Sequence, residues 1–300
     1  MGDMSSGIRM DVDGDGYLSV FPRHFQRGED YPLVLGITGL TEGVRGTRVE
    51  EVLVTLARDY GFVGLGITPA PASVDGTYVT IDMGDYPDDI EKSLDDRIPE
   101  ALSRLASCRT LKDSKHPGIA VFASSAGAVL LYSTLAGAES NPSHIEPLSA
   151  VALHGPYLGG AYMPNNRIKK GYTQQIQHGG SSIDISSIAD TRRGIHRHLM
   201  MDGAKFLFGT DLVSLVRGNP IPSVPTLLLV GDQDGMATLE SHKAFYDALS
   251  HPKEMAVYEH QGHDLEPESY KHRLIDFIVR HATQQITYKA HLHPEPQHQP

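Results

Sequence analysis

The chain has no tryptophan, a single cysteine, fewer basic than acidic side chains and no long apolar run. Each shortage excludes something. With Cys108 alone, no internal disulfide framework can form, a usage that fits a reducing compartment. The 26 Lys and Arg against 37 Asp and Glu leave a formal net charge of −11. That balance argues against a phosphate-binding surface, because nucleic-acid affinity comes largely from clustered cations releasing counterions. Nowhere do about 18 apolar residues run together, the length a spanning helix needs. The opening "MGDMSSGIRM" lacks a basic segment followed by an apolar one, so a soluble, cytoplasmic protein is expected. Its partner should be a small molecule rather than nucleic acid or membrane, and the composition leaves a homodimer open.

What is there is a steady alternation of short apolar runs and amphipathic stretches. Strands are predicted at Pro32 to Ile37, Phe62 to Ile67, Gly118 to Ala123, Ser149 to Leu153, Pro225 to Val230 and Glu254 to Glu259. Most are apolar throughout, as strands buried on both faces of a parallel sheet are. Between them, Val49, Val52, Leu53, Leu56 and Tyr60 keep helical spacing, with Thr47 and Glu50 as a capping box and Gly61 as the stop. A helix from about 87 to 106 contains Pro99, which predicts a kink or break. The last helix presents Tyr270, Leu274, Phe277 and Ile278.

This order predicts an α/β class fold, a mostly parallel, doubly wound sheet with its ligand site beyond the carboxyl ends of the strands. Residues 1–157 and 222–286 are assigned to the core. Residues 158–221 break the alternation for too long to be a loop and are read as an inserted, mostly helical cap. Residues 287–300, rich in Pro, His and Gln, are expected to be disordered. Their His291, His293 and His298 are a secondary metal candidate.

Near the N-terminus, Asp11, Asp13, Asp15 and Gly16 match the start of an EF-hand calcium loop, but the twelfth position, which needs a bidentate Glu, is Pro22. Strand-like residues flank "DGDG", so an antiparallel hairpin is the stronger reading.

In "VFASSAGAVLL", two serines lie between a predicted strand and a small-residue helix. A serine on such a turn projects its oxygen outward beside a helix N-terminus, and the turn needs small residues two positions to either side. Centred on Ser125 these are Ala123 and Gly127; centred on Ser124 they are Phe122 and Ala126. The first register fits. A hydroxyl needs a general base, and the base needs an acceptor to fix its tautomer. Asp232 and Asp234 follow one later strand, and His260 and His263 follow the last.

Ala123 to Gly127 resembles the G-x-S-x-G nucleophile elbow of the α/β-hydrolase superfamily, with Ala for the first Gly. The resemblance implies the chain order Ser, acid, His and an N-terminal antiparallel pair. It favours Asp234, at the end of a Gly-x-x-Asp run, and His263, after Gly262; Asp232 and His260 are the fallback pair. It places the oxyanion-hole N–H groups on Ala126 and Leu40. Thr38 departs from the customary His there, which weakens the assignment of that loop's geometry.

The segment Gly64 to Asp96 resembles the loop and acidic helix of cinnamoyl and feruloyl esterases and related peptidase-like hydrolases. This resemblance implies a cofactor-independent serine carboxylic-ester hydrolase, without a metal, acting on a small acyl or aryl ester through an acyl-enzyme. Serine at the elbow and the lack of Trp speak against dehalogenase and epoxide hydrolase chemistry, which need a carboxylate nucleophile. The same machinery also serves peptidases, thioesterases, lactonases and C–C bond hydrolases, and a non-catalytic ligand-binding relative is the rival from another class. Tyr162, Met200, Met201 and Phe206 are the candidate pocket residues. Met163, Tyr172 and Phe208 share their character, and for each of them packing within the insertion itself is the stronger reading.

Overall fold

The computed structural model describes residues 8–12, 17–39, 46–68, 72–75, 78–81, 90–108, 116, 118–137, 147–163, 166–184, 196–219, 221–250 and 252–283. Eight strands form the main sheet: β1 (Ile8–Val12), β2 (Tyr17–Pro22), β3 (Leu33–Ile37), β4 (Val63–Ile67), β7 (Ile119–Ser124), β8 (Leu148–His154), β11 (Thr226–Gly231) and β12 (Lys253–Tyr258). Their spatial order is β1-β2-β4-β3-β7-β8-β11-β12. The hairpin β1-β2 is antiparallel and joins β4 antiparallel, and every pairing from β4 to β12 is parallel. Strands β3, β4, β7 and β11 are buried at every position, which is why their sequences are apolar without alternation.

Helices cover both faces. On one face α1 (Arg48–Tyr60) and α8 (Pro267–Thr283) bury Val49, Leu53, Leu56, Tyr270, Leu274 and Phe277. On the other lie α2 (Ile90–Ala106), α3 (Ala126–Gly137) and α7 (Leu239–Ala248), with Leu102, Leu131 and Phe245 in the core. Chain order runs outward from β3 to β4 and then in the opposite direction from β7 to β12. The reversal leaves a crevice beyond the ends of β3 and β7, where such sheets bind ligands.

Two local expectations change. Helix α2 runs through Pro99 without a break. Ile98, Ala101, Leu102 and Leu105 are buried on either side of the proline, and their packing outweighs the lost hydrogen bond. Thr47 makes no side-chain cap bond to α1; Glu50 instead accepts from the N–H of Gly46, one residue earlier than a capping box requires. The stretch between β8 and β11 adds two short strands to its helices.

That stretch holds a 3-10 turn (Gly160–Tyr162), α4 (Asn166–His178), β9 (Ser182–Asp184), β10 (His196–Met200), α5 (Met201–Gly209) and α6 (Leu212–Gly218). Its strands join β5 (Ala72–Asp75) and β6 (Tyr78–Ile81) in a second sheet ordered β5-β6-β10-β9. Two distant stretches of chain thus build one small layer. Among the described residues, no helix is long and apolar enough to cross a membrane. Asp11 pairs with Arg9 at 2.5 Å, while Asp13, Asp15 and residues 287–300 lie outside the described residues.

Candidate active site

Strand β7 ends at Ser124 and α3 begins at Ala126, so Ser125 alone makes the turn. Its φ of 50° is left-handed, a conformation that costs a non-glycine residue on the order of 1 kcal/mol or more and persists only where the surroundings enforce it. Three backbone bonds do so. The Ser125 N–H donates to the His154 carbonyl at 2.9 Å, and its carbonyl accepts from Ala128 and Tyr157, each at 3.1 Å. The turn also brings α3 against β3. A Cβ at position 127 would stand 2.8 Å from the Thr38 carbonyl oxygen and 2.9 Å from Ile37 Cγ2, which is why the elbow needs Gly127.

His263, on the loop after β12, places Nε2 2.8 Å from Ser125 Oγ. Its Nδ1 lies 3.0 and 3.2 Å from the two carboxylate oxygens of Asp234, on the loop after β11. A carboxylate only accepts, so Nδ1 carries the proton and Nε2 is left to accept from the serine hydroxyl. The Asp234 side chain has no exposure, while that of His263 is 21% exposed. Burial acts to raise the pKa of Asp234, but the His263 hydrogen bond and charge and the Met236 N–H at 2.6 Å outweigh it, and the balance falls below the ordinary carboxylate value. The buried acid is therefore held ionised.

The two loops are fastened by backbone. The Gln233 N–H donates to Gln261 O at 2.9 Å and the Asp232 N–H to Tyr258 O at 3.1 Å. Gly231 lies so close that a Cβ there would strike the carbonyl oxygens of Gln261 and Gly262. The structure brings together Ser125, His263 and Asp234, and not the fallback pair. Among the described residues, Asp232 Oδ1 is buried without a hydrogen bond, and His260 Nδ1 lies 3.4 Å from Gln233 Nε2.

Ala126 opens α3, so its N–H is among those a helix leaves without an internal acceptor. Leu40 lies outside the described residues, as does the side chain of Met200. The Tyr162 hydroxyl donates to Asp211 at 2.6 Å, within its own segment. Met201 is buried and Phe206 partly buried against the core. Nearer the elbow in sequence, Tyr157 packs edge-on to Phe208, whose ring lies 4.9 Å from that of Tyr172.

Two histidines behind the site escape a sequence reading. His154 ends β8 one residue beyond the predicted strand, and His242 lies inside α7. Burial first, and the charge of Arg48 second, hold His154 well below the ordinary pKa of 6.5. Burial lowers His242 too, against the opposing pull of Asp234. Both therefore take up a proton less readily when folded than when unfolded. Below about pH 6.5 the unfolded chain therefore takes up protons the folded one refuses, and stability falls by up to about 1.4 kcal/mol per pH unit for each histidine. Urea unfolding at pH 7, 6 and 5 is expected to show a falling midpoint, with a shallower fall in His242→Gln; an unchanged slope in that variant would remove His242 from the effect.

No protein-family model matches the chain, and no curated protein matches it. Solved structures do. An acetyl xylan esterase from Paenibacillus sp. R4 superposes with a TM-score of 0.59 at 17% identity, covering 92% of this chain and 86% of that one. The fold is that of the α/β-hydrolases. Est1E from Butyrivibrio proteoclasticus, also solved with ferulic acid bound, gives 0.56 at 17% identity over 94% and 99% of the two chains. A monoacylglycerol lipase of Paleococcus ferrophilus gives 0.54 at 16% over 85% and 98%. Ser125 stands directly after β7, at the crevice beyond the ends of β3 and β7.

Proposed function

We propose that the protein is a serine carboxylic-ester hydrolase acting on a small acyl or aryl ester. The observation that carries this reading is the hydrogen-bonded series Ser125, His263, Asp234 at 2.8 and 3.0 Å, with the serine in a left-handed turn at a helix N-terminus. Ser125 Oγ attacks the ester carbonyl while His263 Nε2 takes its proton. Asp234 holds the Nδ1–H and balances the imidazolium. The N–H of Ala126, with that of Leu40, takes the charge developing on the carbonyl oxygen. His263 returns the proton to the leaving alkoxide, and water, activated the same way, frees the acid. These steps need only the chain's own groups.

The structural neighbours support esters as the bond: one is an acetyl xylan esterase, one a monoacylglycerol lipase, and Est1E binds ferulic acid. We read 158–221, together with β5 and β6, as the cap over the site.

The test is incubation with a fluorophosphonate followed by peptide mass spectrometry. A single adduct on the Ser125 peptide is expected. No adduct on the folded protein would overturn the reading, and an adduct on Ser124 would move the nucleophile. A panel of acetyl, feruloyl and long-chain glyceryl esters beside thioesters, lactones and aryl peptides then assigns the bond.

A further inference from the structure

The triad geometry does not by itself explain what holds the His263 loop in place. Bonds at Gln261 hold the loop before and after its tip, but the tip itself is 21% exposed at His263 and 59% exposed at Asp264. One side chain reaches it from across the molecule. Arg48, the first residue of α1, places Nη2 2.6 Å from Asp264 Oδ1, next in sequence to His263. The Arg48 side chain is only 16% exposed and is held in place by its surroundings, while Asp264 is 59% exposed, so solvent screens the carboxylate end of the pair.

The other guanidinium nitrogen, Nη1, lies 2.9 Å from Nδ1 and 3.0 Å from Nε2 of His154. A point that close to both ring nitrogens must stand over the imidazole face, since in the ring plane it would collide with Cε1. The ring is clasped from another side by Tyr270, with centroids 4.6 Å apart. A neutral, buried imidazole is a fitting platform for a cation. The backbone of the same residue, His154, accepts the N–H of Ser125.

We propose that Arg48 is a positioning residue for the triad, clamping the His263 loop through Asp264 to the strand end that holds Ser125. The inference rests on the esterase reading. The forked guanidinium is suited to the task because Nη1 is directed at the imidazole while Nη2 binds the carboxylate, two donors fixed in one plane rather than on one rotating ammonium. A residue of this kind acts on the reacting geometry rather than on substrate affinity, so its loss should appear in kcat with KM unchanged.

The experiment measures hydrolysis of 4-nitrophenyl acetate by the wild type, Arg48→Met, Arg48→Lys, Asp264→Ala and the Arg48→Met/Asp264→Ala double variant, with a melting curve for each. A kcat loss on the order of 10- to 100-fold is expected for Arg48→Met and a smaller one for Asp264→Ala. Arg48→Lys should recover part of the loss, and the double variant should be no worse than Arg48→Met alone. Asp264 is exposed, so its variant folds whatever becomes of Arg48→Met. Unchanged kcat in Asp264→Ala, losses that multiply in the double variant, or a rise in KM at constant kcat would overturn the proposal. A folded wild type with neither turnover nor fluorophosphonate label would overturn the esterase reading itself, whereas an active wild type whose variants match it removes only the clamp.

Discussion

Ser125→Ala is expected to lower ester hydrolysis by roughly 10⁵- to 10⁶-fold, the scale seen when a serine nucleophile is removed from a triad. The hydroxyl is the only atom lost. The backbone bonds that hold the turn, from Ser125 N–H to His154 and from Ala128 and Tyr157 to Ser125, involve no side chain and persist. Alanine pays the same steric cost as serine at φ 50°. Stability should therefore change by no more than about 1 kcal/mol, the net worth of the hydrogen bond to His263. Turnover of the variant on an aryl ester, beside its urea midpoint, checks both halves. Residual activity within about a hundredfold of the wild type would mean that another group does the attacking.

Gly231→Ala should damage both fold and activity, although it adds only one methyl group, at a residue outside the triad. Gly231 ends β11, where the Asp234 loop departs, and a Cβ there meets the backbone oxygens of Gln261 and Gly262. The Gln261 carbonyl is fixed by the Gln233 N–H, and a backbone carbonyl cannot swing aside as a side-chain tip can. Overpacking of this kind costs about 1–3 kcal/mol, occasionally more. What yields is the spacing between the two loops, and with it the 3.0 Å contact from His263 to Asp234. A displacement near 1 Å in such a contact lowers kcat roughly 100-fold. Gly235→Ala is the control, four residues on, where an added Cβ meets nothing within 4 Å. Urea unfolding and kcat should separate the two variants clearly; equal behaviour would show that the loops move independently.

The core strands were legible because burial on both faces leaves an unbroken apolar run, and the hairpin because its turn chemistry is local. The elbow was legible because close approach admits only small residues, and the observed turn at Ser125 follows that steric requirement. Other features are long-range and leave little local trace. Strand β9 is Ser-Ile-Asp and β10 is His-Arg-His-Leu-Met. Neither has an apolar run, and each is a strand because its partner is there. Arg48 looks like any helix-opening residue until α1 is packed on β3 and β4, where its side chain reaches the end of β8 and the His263 loop. Pro99 misleads in the other direction, since a local rule predicts a break that burial of its neighbours overrides.

The four-stranded layer has a consequence for the order of assembly. Its central pairing sets Tyr78 opposite His196, bringing together stretches of chain between which β7, α3 and β8 all lie. Closing so long a loop costs chain entropy before any contact returns it, so this pairing cannot nucleate folding and has to wait for the main sheet. It is accordingly the last part put together and the first released, a cooperative unit whose opening free energy is set apart from that of the eight strands beneath.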